Sequence, residues 1–217
     1  MVSPLVAQPI APLIGERRVV FRDLDWPRYQ MLRQTLGDRR GLRMIYDRGV
    51  LEITMPLEDH EFAVRMIELF IRVVVVELGL KMKTLGSTTL DRDTLDRSAE
   101  PDNAYYIQNQ AAVAGRNVDL ERDPPPDLVV EVDITHTDID KLRLYASMGV
   151  PEFWRYNGES WRIYVLQGGA YKESEASTTF PLVPKQRLYA FLAEARQDEV
   201  AAELALRQWA QQVLCIS

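Results

Sequence analysis

One cysteine, Cys215, and two histidines, His60 and His136, are all that 217 residues contain. A lone cysteine cannot close an intrachain disulfide, and nothing here favours an oxidising compartment, so a cytoplasmic location is the expectation. So few thiols and imidazoles also argue against a zinc cluster. Long apolar runs are missing as well. The greasiest stretch, Ile67 to Leu80, is interrupted by Glu68, Arg72 and Glu77, which a bilayer core tolerates poorly, so no membrane span is expected. The opening residues 1–15 carry Pro4, Pro9 and Pro12 but no basic segment and no continuous apolar run, and they read as a loose tail rather than a signal peptide. There are no internal repeats, no low-complexity tracts and no basic stripe with interleaved aromatics of the kind that reads bases.

What is present suits one buried core. With 47% hydrophobic and 27% charged residues, the chain is expected to form a single domain over residues 16–217. The formal net charge of −6 is unevenly spread: between Asp91 and Asp140 there are 13 acids against 4 arginines, so the remainder is net positive. A solvated loop accounts for Asp91, Asp93 and Asp96. It is less adequate for the acids further on.

The pattern predicts a mixed α+β chain. Asp25 can cap a helix that carries Tyr29, Leu32 and Leu36 on one face and stops at Gly37. A hairpin follows, Leu42 to Tyr46 and Val50 to Met55 around Asp47-Arg48-Gly49, with Leu51, Ile53 and Met55 alternating against polar residues as if half-buried. From Asp59 to Leu78, Phe62, Met66, Leu69, Val73 and Val76 recur at helical spacing, and Gly79 is the stop. Strands are expected at Leu80 to Leu85 and Asp102 to Ile107, separated by a polar excursion. Thr137 can cap the next helix, helped by Asp140. Three short strands follow at Glu152 to Tyr156, Trp161 to Gln167 and Ala170 to Glu173, and then one helix over Leu188 to Leu214. That last helix could pair two copies into a homodimer, although an amphipathic helix most often packs on its own domain.

Asp127 to Ile134 carries the chemistry. Strand alternation puts Leu128, Val130, Val132 and Ile134 on one face and Asp127, Val129, Glu131 and Asp133 on the other. Like charges two residues apart on one face repel unless a cation or a proton compensates. Hard oxygen donors favour Mg²⁺ or Mn²⁺. The competing explanation for Glu131 is a buried carboxylate paired with an arginine, which is costly and uncommon in an apolar strand. Asp102, after Pro101, could equally be a turn residue. Tyr145, Phe153, Trp154 and Trp161 suit core packing better than base stacking.

Several motifs occur in a fixed order: Gly49-Val50-Leu51-Glu52, Met55-Pro56, His60-Glu61, Pro101-Asp102, Pro126-Asp127-Leu128-Val129-Val130-Glu131-Val132, Lys141, Tyr145, and Gly149-Val150-Pro151-Glu152-Phe153-Trp154. In this order the chain, from about Leu42 to Tyr171, resembles the putative restriction endonuclease family of the PD-(D/E)XK nuclease superfamily. The resemblance implies a restriction-endonuclease-like α-β-β-β-α-β core with an N-terminal helix-hairpin and additional C-terminal strands and helix. It implies a Mg²⁺-dependent endonuclease, Mn²⁺ being a possible substitute, that acts on DNA, with RNA as the other nucleic-acid candidate. Asp102 and Glu131 become metal ligands, the Val132 carbonyl a third, and Lys141 the motif's lysine. The position two after Glu131 departs from the superfamily's simplest pattern, since Asp133 stands where a lysine is usual. Asp133 could ligate a second metal, bind through water or act outside the coordination sphere. Without the resemblance, Lys141 would be a surface lysine pairing with Asp138 or Asp140, and His60 and Glu61 a helix start. Two other classes compete: a nucleic-acid-binding or regulatory module that keeps the fold without turnover, and a scaffold.

Overall fold

Strand and helix signals along the chain resolve into two sheets that face each other across a polar seam. The computed structural model describes residues 16–36, 42–92, 96–134, 137 and 139–214. The expected tail 1–15, together with Gly37, Asp93, His136, Asp138 and Cys215, lies outside the described residues. The chain opens with β1 (Glu16–Phe21), α1 (Trp26–Leu36), β2 (Arg43–Asp47) and β3 (Val50–Pro56). The long helix α2 (Glu58–Glu77) precedes four short strands, β4 (Lys83–Thr84), β5 (Leu90–Arg92), β6 (Arg97–Ala99) and β7 (Asn103–Tyr106). Then come α3 (Gln110–Val113), β8 (Leu128–Val132), α4 (Lys141–Ser147), β9 (Glu152–Tyr156), β10 (Trp161–Gln167) and β11 (Ala170–Ser174). Two helices, α5 (Lys185–Ala195) and α6 (Glu199–Val213), follow.

The first sheet has the order β1-β3-β2-β6-β5, and the second β11-β10-β9-β8-β7-β4. Within the second, β8 and β9 run parallel, joined across α4, while β7 and β8 are antiparallel. Long helix, β4, β7, β8, α4 and β9 reproduce the expected α-β-β-β-α-β core, with β10 and β11 as the added strands. The strands β5 and β6 lie in what the sequence suggests is only a polar excursion, and β1 was not anticipated. The strand expected over Leu80 to Leu85 is reduced to two residues.

Asp25 caps α1, its Oδ1 accepting from the Arg28 N–H at 2.9 Å. The β2-β3 hairpin closes on Arg48 and Gly49, whose φ angles of 44° and 97° make the two-residue turn that the strands' twist requires. The hairpin is not half-buried, however. Leu51 packs under α1 with Tyr29, Met44 and Tyr46, while Glu52 on the opposite face is buried too, because that face turns toward the second sheet.

The face of β8 bearing Leu128, Val130 and Val132 packs on α2, and the face bearing Val129 packs with Ala104, Leu144, Tyr145 and Phe153. The helix α2 is buried over a wider arc than five positions can supply, since α5 and α6 also lie on it. Ala63, Ile67, Phe70, Ile71 and Val74 are buried, and Val76, expected in the core, is exposed. The expected single C-terminal helix is two, divided where Asp198 Oδ1 accepts from the Val200 and Ala201 N–H groups and caps α6. Ala202, Leu206 and Ala210 seat α6 in the same core as α2 and α5. Likewise α4 is capped by Asp140, which accepts from the Arg143 N–H at 3.1 Å, and not by Thr137, whose hydroxyl turns instead to Glu52.

A candidate metal centre between two sheets

Register decides which side chains meet. In β7 and β8, Asn103 pairs with Val130, so Asp102 and Glu131, one step further, stand side by side on the same face. On the other flank Glu131 pairs with Arg155 of β9. Asp102, Glu131 and Arg155 therefore form a row across three adjacent strands. The first sheet presents a second row, since Thr54 pairs with Arg18 on one side and Arg43 on the other. The two rows close on each other, and a small polar pocket lies between them.

Asp102 is fixed at both oxygens. Its Oδ2 accepts from the Val132 N–H at 2.7 Å, which ties it to β8. Its Oδ1 lies 2.9 Å from Arg43 Nε and 3.2 Å from His60 Nε2, but neither contact is aligned as a hydrogen bond, and this buried oxygen accepts none. Burial acts to raise the Asp102 pKa, but the close approach of the His60 imidazole and the charges of His60, Arg43 and Lys141 outweigh it and hold the carboxyl below its ordinary range.

Glu131 Oε1 accepts from the Tyr145 hydroxyl, and its Oε2 accepts from Lys141 Nζ at 2.8 Å. Burial pushes its pKa up to about 7, Lys141 opposing and Asp102 and Asp133 adding to the rise. Lys141 is buried, and its Nζ also donates to Asp133 Oδ1 at 2.5 Å. Burial would lower the Lys141 pKa, but the carboxylates of Asp133, Glu131 and Asp102 raise it instead, so it stays an ammonium. Burial and the Glu131 charge raise the Tyr145 phenol well above its usual value, which keeps it a donor.

Asp102, Glu131 and Lys141, the three residues singled out from the sequence, thus stand together. Lys141 is not a surface lysine, and Glu131 is paired with a lysine and a tyrosine rather than an arginine. His60 reaches the cluster, whereas Glu61 is partly exposed and stands behind it, 3.6 Å from Arg43 and 3.8 Å from His60. Tyr145, Phe153, Trp154 and Trp161 are all buried as core residues, and Tyr145 serves the cluster as well. Asp127, on the same face of β8 in the sequence pattern, does something else. Its Oδ2 accepts from the Ile107 and Asn109 N–H groups at 2.6 and 2.9 Å, holding the turn after β7.

Sequence reasoning missed Arg18, Arg43, Glu52 and Arg155. Arg18 donates to Glu52 at 2.6 Å and approaches Asp133 at 3.8 Å, and Arg155 Nε donates to Asp133 Oδ2 at 3.0 Å. Only Arg18 lies on a strand the sequence does not announce; Arg43, Glu52 and Arg155 lie on expected strands, and which acids they meet is set by how the strands pair and the two sheets pack.

Among the described residues, no three His, Cys, Asp or Glu side chains already stand as a metal-binding set. Lys141 lies where it neutralises Glu131 and Asp133. The donors nevertheless suit one hard cation: two carboxylates on adjacent strands of one row, an Asp102 Oδ1 that is buried without an aligned hydrogen bond, and about 10 Å³ of free space between the rows, room for one water or one ion.

A parallel β8-α4-β9 unit flanked by antiparallel strands, with buried acids and a lysine at its polar seam, is a restriction-endonuclease-like protein. Residues 26–198 match the family model Uma2, putative restriction endonuclease, and the chain belongs to that family. Comparison with curated proteins gives no match. Family membership carries a nuclease-type function. No helix among the described residues is long and apolar enough to cross a membrane.

Proposed function

We propose that the chain is a Mg²⁺- or Mn²⁺-dependent endonuclease that hydrolyses phosphodiester bonds in DNA, with Asp102 and Glu131 holding the metal and Lys141 as a catalytic residue. The observation that carries this reading is the side-by-side placement of two buried carboxylates, Asp102, whose Oδ1 accepts no aligned hydrogen bond, and Glu131, whose Oε2 meets the Lys141 ammonium. The Val132 carbonyl completes the proposed donor set. When bound, the metal supplies Lewis-acid polarisation of the phosphate and of water. Every other part of the task falls to side chains. Arg43 and His60 keep Asp102 ionised, Tyr145 holds Glu131 in place, and Lys141 neutralises the negative charge that develops on the phosphate in the transition state.

A second reading, a nucleic-acid-binding module without turnover, is favoured by the same ammonium, which already satisfies Glu131 and Asp133 without a metal. Supercoiled plasmid incubated with Mg²⁺, Mn²⁺ or EDTA separates the two. Nicking that needs metal and falls on the order of 100-fold or more in Glu131→Gln and Lys141→Met supports the enzyme. Binding without nicking in either metal rejects it in favour of the module.

A further inference from the structure

Among the described residues, Lys141 and three arginines stand around the carboxylates beside His60, and they differ in their exposure. The side chains of Lys141, Arg18 and Arg43 are 5%, 10% and 19% exposed, and that of Arg155 is 32% exposed. Of these four side chains Arg155 is the most accessible to an anion from solvent. Arg155 is also held in place. The parallel register puts it directly beside Glu131 on the same face, about 5 Å away across one strand spacing. Its Nε donates to Asp133 Oδ2 at 3.0 Å, and among the described residues its Nη groups have no partner.

Asp133 is itself held by backbone and side-chain bonds. It is buried, its N–H donates to the Tyr156 carbonyl at 2.8 Å, and its Oδ1 is bonded to Lys141. A guanidinium fixed through Nε keeps its two Nη groups directed as a fork, the geometry that accepts two oxygens of one phosphate.

We propose that Arg155 is a further substrate-binding residue, gripping a phosphate of the nucleic-acid strand beside the bond to be cut, and that Asp133 is the positioning residue that aims it. This rests on the nuclease reading above, and it gives Asp133 a part in the site other than metal ligation. Asp133 accepts from two cations, Lys141 and Arg155, at once.

The test is binding of a short labelled DNA duplex, followed by fluorescence anisotropy in Ca²⁺ over a range of salt concentrations, with the recovered DNA checked for intactness. Each phosphate contact contributes about one to the slope of log K against log salt. Arg155→Gln is expected to make that slope shallower by about one and to weaken binding about ten- to a hundredfold. Arg122→Gln, at an exposed arginine remote from the cluster, is expected to change neither. Arg155→Lys keeps the charge but loses the fork, so it should retain the slope and lose affinity several-fold. If Arg155→Gln does not fold, Arg155→Lys carries the test alone, and unchanged affinity in that variant overturns the assignment. An unchanged slope in a folded Arg155→Gln overturns the role of Arg155 while leaving the nuclease reading intact. Absence of salt-dependent binding by the unaltered protein rejects the nucleic-acid reading and the role of Arg155 with it.

Discussion

Replacing Lys141 with methionine removes one positive charge from the seam and little volume. The ammonium lies 2.8 Å from Glu131 and 2.5 Å from Asp133, and without it Asp102, Glu131 and Asp133 are left buried together with fewer compensating cations. Breaking a buried ion pair from one side costs about 3 to 5 kcal/mol. For a chain of this size that lowers the Tm by about 6 to 20 °C. The loss should depend on pH, and its sign follows from Glu131. Its folded pKa, about 7, lies above the ordinary 4.5, so the folded state binds the proton more tightly than the unfolded chain does. The contribution of Glu131 to the stability of the metal-free protein therefore falls as pH rises from about 4.5 through 7. Removing Lys141 takes away the group that opposes this rise and extends the window upward. At pH 5 a protonated Glu131 needs no ammonium and only the contact with Asp133 is lost, so the Lys141→Met deficit should be smaller than at pH 8, where both contacts are lost. Thermal unfolding followed by circular dichroism in EDTA at both pH values measures it. A variant as stable as the unaltered protein at pH 8, or an equal deficit at both pH values, would refute the reasoning.

Two other expectations follow from the same geometry. Glu152 is wholly buried and accepts from Trp154 Nε1, both N–H groups and both hydroxyls of Thr178 and Thr179, so Glu152→Ala strands five donors and should cost at least about 3 kcal/mol, seen in urea unfolding. Cation binding must displace the Glu131 proton, so Mn²⁺ affinity should rise about tenfold per pH unit below about 7 and level off above it, as calorimetry at several pH values would show.

The β8 strand was legible in the sequence because alternation is a local property. Leu128, Val130 and Val132 could face one way only, and that put Glu131 and Asp133 together on the other side. Asp102 and Lys141 were legible through the order of family motifs, not through any spacing of their own. The arginines were not legible at all. Arg18 and Arg43 reach Asp133 and Asp102 from the first sheet, and nothing near them in sequence says which acid they will meet. The strands β1, β5 and β6 are short and carry charged residues, so they give no clear period of two, and only the pairing of β1 with β3, β6 with β2 and β5 with β6 makes them strands. The break between α5 and α6 has neither glycine nor proline to announce it, and rests on the Asp198 cap alone.

The cation-holding role of Asp102 and Glu131 is tested most directly by titrating Mn²⁺ calorimetrically into the metal-free protein at pH 8, beside Asp102→Asn and Glu131→Gln. Saturable binding to the unaltered protein, lost in both variants while their folds persist, is the expected result. Binding that survives in both variants, or none in the unaltered protein, would contradict the assignment of a metal to this seam.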